Sequence, residues 1–261
     1  MARNQRRPPA PNPIEELVQL ATDLDLTTLS GELPQLLGVA EREASSYRDF
    51  ALTMFRTESE ARRNRHLTRS LRRASLGTVE GLDGFDFNAR PQLEPRVVKE
   101  LCTGRVVEER RNVLCLGGPG LGKTRIAKAI VHAACLAGYS ALFVVTADML
   151  ENLQASHADG TFKRTLRRYI NPQVLLLDEL AYEPLDVTAT NYLFRVVAAR
   201  YGHGSIILTA NTGFQHWKKL FPSESAAVAT ADRLVDRATI LRFTGKSRRQ
   251  PREISGAPLD D

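Results

Sequence analysis

The sequence predicts an α/β protein: a parallel sheet covered on both faces by helices, preceded by a small N-terminal helical domain. Three observations predict it. Short, continuous apolar runs alternate with helical stretches from residue 112 onward, and such runs are strands buried on both faces, which requires helices on either side. A glycine-rich turn separates the first run from the helix after it. Before residue 75 the apolar residues recur at helical spacing instead.

Residues 1–13 are rich in Pro, Arg and Asn and cannot bury apolar surface, so a disordered basic arm is expected. Residues 14–78 are expected to form the helical domain. Leu17, Leu20 and Leu24, then Leu33, Leu36 and Leu37, then Tyr47, Phe50, Leu52 and Phe55 predict three or four helices in a small bundle. The stretch Glu58 to Ala74 continues as a basic helix. Gly77, Gly81, Gly84 and Pro91 then break the periodicity and mark the domain boundary. A second domain is expected over 79–250, opened by Phe85-Asp86-Phe87 as a strand or turn, with a helix over 97–110. Apolar runs at 112–116, 141–146, 174–177 and 205–209 alternate with helices over 123–136, 147–154 and 188–201, and a tail occupies 251–261.

Composition excludes several classes. Among the 261 residues no apolar run approaches the roughly 20 that a spanning helix needs, and no apolar stretch follows the N-terminus, so neither membrane nor secretion is expected. Cys102, Cys115 and Cys135 lie far apart without a Cys-x-x-Cys pair, which argues against a zinc site or disulfide framework; reduced cytoplasm is the expected location. Net charge is +6, unevenly spread: Arg56 to Ser75 holds seven arginines against two glutamates. Clustered guanidinium groups gain affinity by displacing counterions from phosphates. Arg62, Arg63, Arg65, Arg69, Arg72 and Arg73 are therefore the candidate DNA contacts, most of them sharing one helix face. Arg242, Lys246, Arg248, Arg249 and Arg252 form a second basic stretch.

Gly117-Gly118-Pro119-Gly120-Leu121-Gly122-Lys123-Thr124 matches G-x-x-x-x-G-K-[ST] between a strand and a helix. In that setting backbone N–H groups converge on phosphates, Lys123 reaches the β and γ phosphates, and the Thr124 hydroxyl ligates Mg²⁺. ATP and Mg²⁺ are the expected cofactors, with Arg125 continuing the loop. The apolar run Val174 to Leu177 ends in Asp178 and Glu179; Asp178 is assigned to the Mg²⁺ shell and Glu179 to the general base. Asn211 ends the run starting at Ser205 and can orient water against the γ phosphate. Arg233 and Arg237, one helical turn apart, are alternative arginine fingers for a neighbour's ATP. Trp217 is read as core packing, and the five histidines show no metal-ligand spacing.

With these motifs in order, the chain resembles the IstB-like ATP-binding proteins, transposition helpers of insertion sequences within the DnaC-like branch of AAA+ ATPases. The resemblance runs from about Leu17 to Arg249. It includes Glu58 with Arg62 and Arg63, Phe85-Asp86-Phe87, the phosphate loop, and Leu177 to Tyr182 with Pro184-Leu185. It continues through Thr209-Ala210-Asn211 with Phe214 and Trp217, Asp232-Arg233-Leu234, and Gly245 to Arg249. Arg125 stands where the family usually has histidine, and Arg248 where tyrosine is common. The resemblance implies an AAA+ three-layer α/β/α fold, Asp178 and Glu179 as the Walker B pair, Asn211 as sensor I and Arg233 as the preferred finger. It also implies an ATPase that forms homo-oligomers on duplex DNA, with ATP sites between subunits, and that recruits or activates the transposase of the same insertion sequence. A replicative helicase loader and a nucleotide-sensing scaffold are the alternative functions.

Overall fold

The computed structural model describes residues 12–180 and 184–247; the expected arm up to residue 11, Tyr182, Arg248, Arg249, Arg252 and the tail lie outside the described residues. The chain divides into two compact units within one long helix, after Thr68.

The first unit contains α1 (Pro13–Asp23), α2 (Thr27–Arg42) and the start of α3 (Tyr47–Ala74). Asn12 caps α1 by accepting from the Ile14 N–H at 3.1 Å, with Pro13 at the first helical position, the pairing that best starts a helix. No side chain of its own caps α2. Glu58, reaching over from α3, does so: its Oε2 accepts from the N–H groups of Thr28 at 2.9 Å and Leu29 at 3.1 Å. Its Oε1 accepts from Arg62 Nε at 3.1 Å and Arg65 Nη2 at 2.9 Å. The same guanidinium groups reach further, Arg65 to the Thr28 hydroxyl and Arg62 to the Asp25 carbonyl. Burial pushes the Glu58 carboxyl up, but the four donors outweigh it and hold the group below its ordinary 4.5.

This changes the reading of the arginine face. Arg62, Arg65, Arg69 and Arg72 lie on the helical line of Glu58, so the stripe begins on a buried carboxylate. Arg62 and Arg65 pair there, Arg62 while still exposed, and Arg63, Arg69, Arg72 and Arg73 are exposed as well. The apolar stripe differs from expectation too. Among the described apolar side chains of this unit only Ala21, Leu29 and Leu33 are buried; Leu17, Leu20, Leu24, Tyr47, Leu52 and Phe55 are exposed.

The second unit takes in the last turns of α3, because Ser70 donates to the Tyr139 carbonyl at 3.3 Å and Ala74 and Leu76 are buried. Its start therefore precedes the glycines at 77–84. Phe85-Asp86-Phe87 is a turn rather than a strand. The helix expected over 97–110 is two, α4 (Pro95–Leu101) and α5 (Arg105–Glu108), because Gly104 between them is left-handed with φ 86°.

The α/β pattern then follows as β1 (Val113–Gly117), α6 (Lys123–Leu136), β2 (Ala141–Val145), α7 (Thr146–Ala158), α8 (Phe162–Ile170), β3 (Val174–Leu180), α9 (Val187–Arg200), β4 (Ser205–Ala210), α10 (Glu224–Val235) and β5 (Thr239–Phe243). The strands form one parallel sheet in the order β2-β3-β4-β1-β5. The central residues of β1, β3 and β4 are buried on both faces, as continuous apolar runs require. Strand β5 and helix α8 were not legible as runs: Arg242 interrupts β5 at the sheet edge, and α8 is mostly basic. Trp217 lies in the core between Phe214 and Phe221. Arg200, fully buried at the end of α9, donates to the carbonyls of Tyr169, Ile170, Pro172, Gln173 and Ser205.

Glu58→Gln keeps the shape of the cap and removes its charge, and is expected to lower stability by about 1–2 kcal/mol at neutral pH. Because the folded carboxyl sits below its ordinary 4.5, its contribution is complete above that value and disappears as pH falls through the lowered one. Thermal unfolding of both proteins should show a constant gap at pH 6–8 that closes under acid. A gap independent of pH would refute the charged cap.

Candidate nucleotide-binding site

The site forms where β1, β3 and β4 end on the same side of the sheet. Gly117 closes β1 with φ 152°, and a Cβ there would lie 2.1 Å from the Phe243 carbonyl oxygen, so the end of β5 admits only glycine. Gly122, with φ 91°, would bring a Cβ to 2.8 Å from Phe85. The Phe85 turn thus packs directly on the loop, and buried Arg90 fastens it by donating to the Leu121 carbonyl at 3.1 Å. Helix α6 begins at Lys123 with no side chain capping it, which leaves its first N–H groups facing the loop, the usual arrangement for receiving an anion.

Lys123 is buried, its Nζ donating to the Gly118 carbonyl at 2.6 Å and to Asn211 Oδ1 at 2.9 Å. The Thr124 hydroxyl donates to Asp178 Oδ1 at 3.0 Å. These bonds bring Lys123, Thr124, Asp178 and Asn211 together from three separate elements. Two oxygens, one hydroxyl and one carboxylate, therefore converge at the loop; that is the hard-donor chemistry a Mg²⁺ ion takes.

Glu179 follows Asp178 in β3 with φ 55°, a left-handed conformation that costs a non-glycine residue roughly 1–3 kcal/mol. The register with β4 shifts between Leu177 and Leu180, so a bulge lies at the two acids. Asp178 is buried and Glu179 exposed. Thr209, buried in β4, was not singled out by sequence reasoning, yet its hydroxyl joins both acids: it donates to Asp178 Oδ1 at 2.5 Å and accepts from the Glu179 N–H at 2.9 Å. Thr146 donates to the Asp178 carbonyl at 2.8 Å. The sequence signals for Thr209 were a hydroxyl within an apolar run and its place in the Thr209-Ala210-Asn211 motif, neither of which gave it a role. Beneath the site, burial pushes the Cys115 thiol up to about 12, which leaves it an unreactive packing group.

Arg125 turns away from the phosphate side. Its guanidinium donates to the carbonyls of Gly81 and Asp83, pairs with Glu80 at 3.1 Å and lies over the Phe85 ring. Arg233 lies at the other end of the sheet. Asn112, which precedes β1, donates to the carbonyls of Arg233 and Leu234, while the phosphate loop follows β1; five residues of strand, about 16 Å, separate the two ends. The Arg233 guanidinium donates to the Ala229 carbonyl and stacks on Phe194. A further basic surface, unread in the sequence, is α8, where Lys163, Arg164, Arg167 and Arg168 are all exposed.

With this geometry in place, comparison with known proteins is consistent across the chain. The family model described as IstB-like ATP binding protein matches residues 19–255. A protein of Geobacillus stearothermophilus named for ATP binding in insertion sequence IS5376 is 31% identical over 90% of this chain and 94% of its own length. One from Pseudomonas aeruginosa, named likewise for insertion sequence IS21, is 34% identical over 90% of this chain and 89% of its own. Among solved structures, DnaI aligns with TM-score 0.53 at 22% identity, over 67% of this chain and 92% of its own. AMPPCP-bound DnaA from Aquifex aeolicus aligns with TM-score 0.55 at 20% identity, over 66% of this chain and 53% of its own. These likenesses show the fold alone.

Thr209→Val removes the hydroxyl that orients both acids without changing side-chain size. Groups that orient metal-binding and catalytic carboxylates are worth about 10–100-fold. Phosphate release is expected to fall about tenfold, and the Mg²⁺ concentration for half-maximal rate to rise, with ATP binding retained. An unchanged Mg²⁺ dependence would show that Thr209 only packs.

Proposed function

The chain belongs to the IstB-like ATP-binding family, and on that premise we propose that it is an AAA+ ATPase of insertion-sequence transposition. In this reading it binds ATP with Mg²⁺, assembles on duplex DNA and recruits or activates the transposase of its element. The observation that carries the reading is the convergence of Lys123, Asn211, Thr124 and Asp178 through two hydrogen bonds at the end of one sheet.

In the proposed mechanism the loop N–H groups and Lys123 hold the triphosphate, and Lys123 moves from the Gly118 carbonyl onto the β and γ oxygens. Thr124 and Asp178 would hold Mg²⁺, which when bound neutralises phosphate charge. Asn211 is released by Lys123 to orient the attacking water, and Glu179 takes its proton. Arg233, at the far end of the sheet from its own loop, serves a nucleotide held by a second copy. Arg63, Arg69, Arg72 and Arg73 supply the contacts to DNA phosphates, with Arg62 and Arg65 holding the helix that carries them. The helicase-loader alternative shares the fold; the relatives that cover about nine-tenths of this chain carry insertion-sequence names, which favours transposition.

Glu179→Gln is expected to bind ATP as the parent does and release phosphate at least a hundredfold more slowly; equal rates would support a scaffold that hardly hydrolyses. Mixing Arg233→Ala subunits with Lys123→Ala subunits should restore hydrolysis if the finger works in trans. Duplex affinity should require ATP and fall roughly a hundredfold between about 50 and 200 mM salt, the slope for four phosphate contacts. Fluorescence anisotropy showing the same affinity with and without ATP would sink the assembly reading.

A further inference from the structure

The start of α6 serves two directions at once. Its first N–H groups face the phosphate loop, whereas the Arg125 side chain leaves that side and reaches back to the turn that precedes the sheet. Arg125 Nε and Nη2 donate to the Gly81 carbonyl at 3.2 and 3.1 Å, and Nη2 donates to the Asp83 carbonyl at 2.6 Å. Its Nη1 pairs with Glu80 at 3.1 Å. The turn that receives these bonds is closed by the Phe85 N–H, which donates to the Leu82 carbonyl at 3.0 Å.

Two more attachments join this turn to the loop, the Phe85 ring against Gly122 and the bond from Arg90 to the Leu121 carbonyl at 3.1 Å. Between them lies a cavity of about 100 Å³ lined by Phe85, Arg90, Leu121, Gly122 and Arg125. Turn and loop are thus joined by point attachments across open space, and little packing remains to hold their distance once one is removed. Of the bonds Arg125 makes, the ion pair counts least, because the Glu80 side chain is 69% exposed and water screens it. The bonds to two carbonyls need the guanidinium fork, whose fixed donors span both at once; an ammonium cannot.

The turn also has a covalent attachment. It follows α3, whose last turn carries the exposed Arg72 and Arg73, and the end of that helix is pinned by buried Ala74 and Leu76. Only a short segment, 77–79, separates this pinned end from Glu80. One residue of α6 therefore stands between the loop that receives phosphate and the segment that carries arginines. We propose that Arg125 is the positioning residue that couples nucleotide binding to duplex binding. When Lys123 leaves the Gly118 carbonyl for the phosphate oxygens, the loop shifts, and the fork carries the 81–83 turn and the end of α3 with it. The proposal rests on the ATP-dependent duplex binding read above and names the residue through which that dependence passes.

The test measures a ratio on the full chain: duplex affinity with a slowly hydrolysed ATP analogue over affinity without it, by fluorescence anisotropy. By linkage the same factor must appear when analogue affinity is measured with and without duplex. A defect confined to the nucleotide site weakens the analogue equally in both conditions and cancels in the ratio, whereas lost coupling does not. The parent factor is expected within about 5–150-fold, the usual span of coupling between sites. Arg125→Ala should bring it below about twofold. Arg125→Lys, which keeps the charge but not the fork, should leave it at least about threefold below the parent. Glu80→Gln removes only the exposed pair and should stay within about twofold of the parent. Thermal unfolding checks that each variant is folded, and the lysine variant decides the matter if alanine is not. A parent factor of one overturns ATP-dependent assembly and the coupling with it. A parent factor above one that survives at the parent's value in Arg125→Ala, or in Arg125→Lys, overturns the role of Arg125 alone.

Discussion

One oxygen atom organises the candidate site. Asp178 Oδ1 accepts from the Thr124 hydroxyl at the start of α6 and from the Thr209 hydroxyl in β4, while the Asp178 carbonyl accepts from Thr146 at the start of α7. Three elements are therefore tied to one residue of β3. A carboxylate this buried is costly unless its lone pairs are met, and the two hydroxyls meet them without adding charge. Both are also small enough to leave the phosphate side of Thr124 and Asp178 open to a cation.

The same residue explains why the next one is strained. If β3 continued in regular register past Asp178, alternation would send Glu179 to the opposite face of the sheet. The bulge and the positive φ at Glu179 re-aim it, and the Thr209 hydroxyl holds the strained N–H in place. Strain of this kind persists only where the surroundings over-determine it. Here a single threonine fixes both the acid that faces the loop and the acid that faces solvent. Without it β4 would lose both of these bonds to β3, while α6 would keep its own through Thr124.

Much of this was legible beforehand, and the gaps have physical causes. The phosphate loop, the two acids and Asn211 were readable because each ends a continuous apolar run, and strands of one parallel sheet bring their ends to one side. The role of Thr209 was not readable although its motif was, since a hydroxyl inside such a run looks like any β-branched strand residue. The first unit failed differently. Helical spacing correctly grouped Leu17, Leu20 and Leu24 on one face, but periodicity says only which residues share a face, not what covers it, and these remain exposed. Likewise seven arginines in a row of turns said nothing of Glu58, whose burial converts two of them from surface charge into a helix cap.

The distribution of positive charge follows from the sheet's polarity. At the ends of β1, β3 and β4 the fold offers uncapped N–H groups and one buried lysine, while Arg125 is spent on the Gly81–Asp83 turn. At the starts of the same strands the balance reverses, with four arginines around a cavity and one engaged acid. A parallel sheet cannot fold one of its ends back onto the other, so the phosphate loop and the arginines at the strand starts do not meet within one chain.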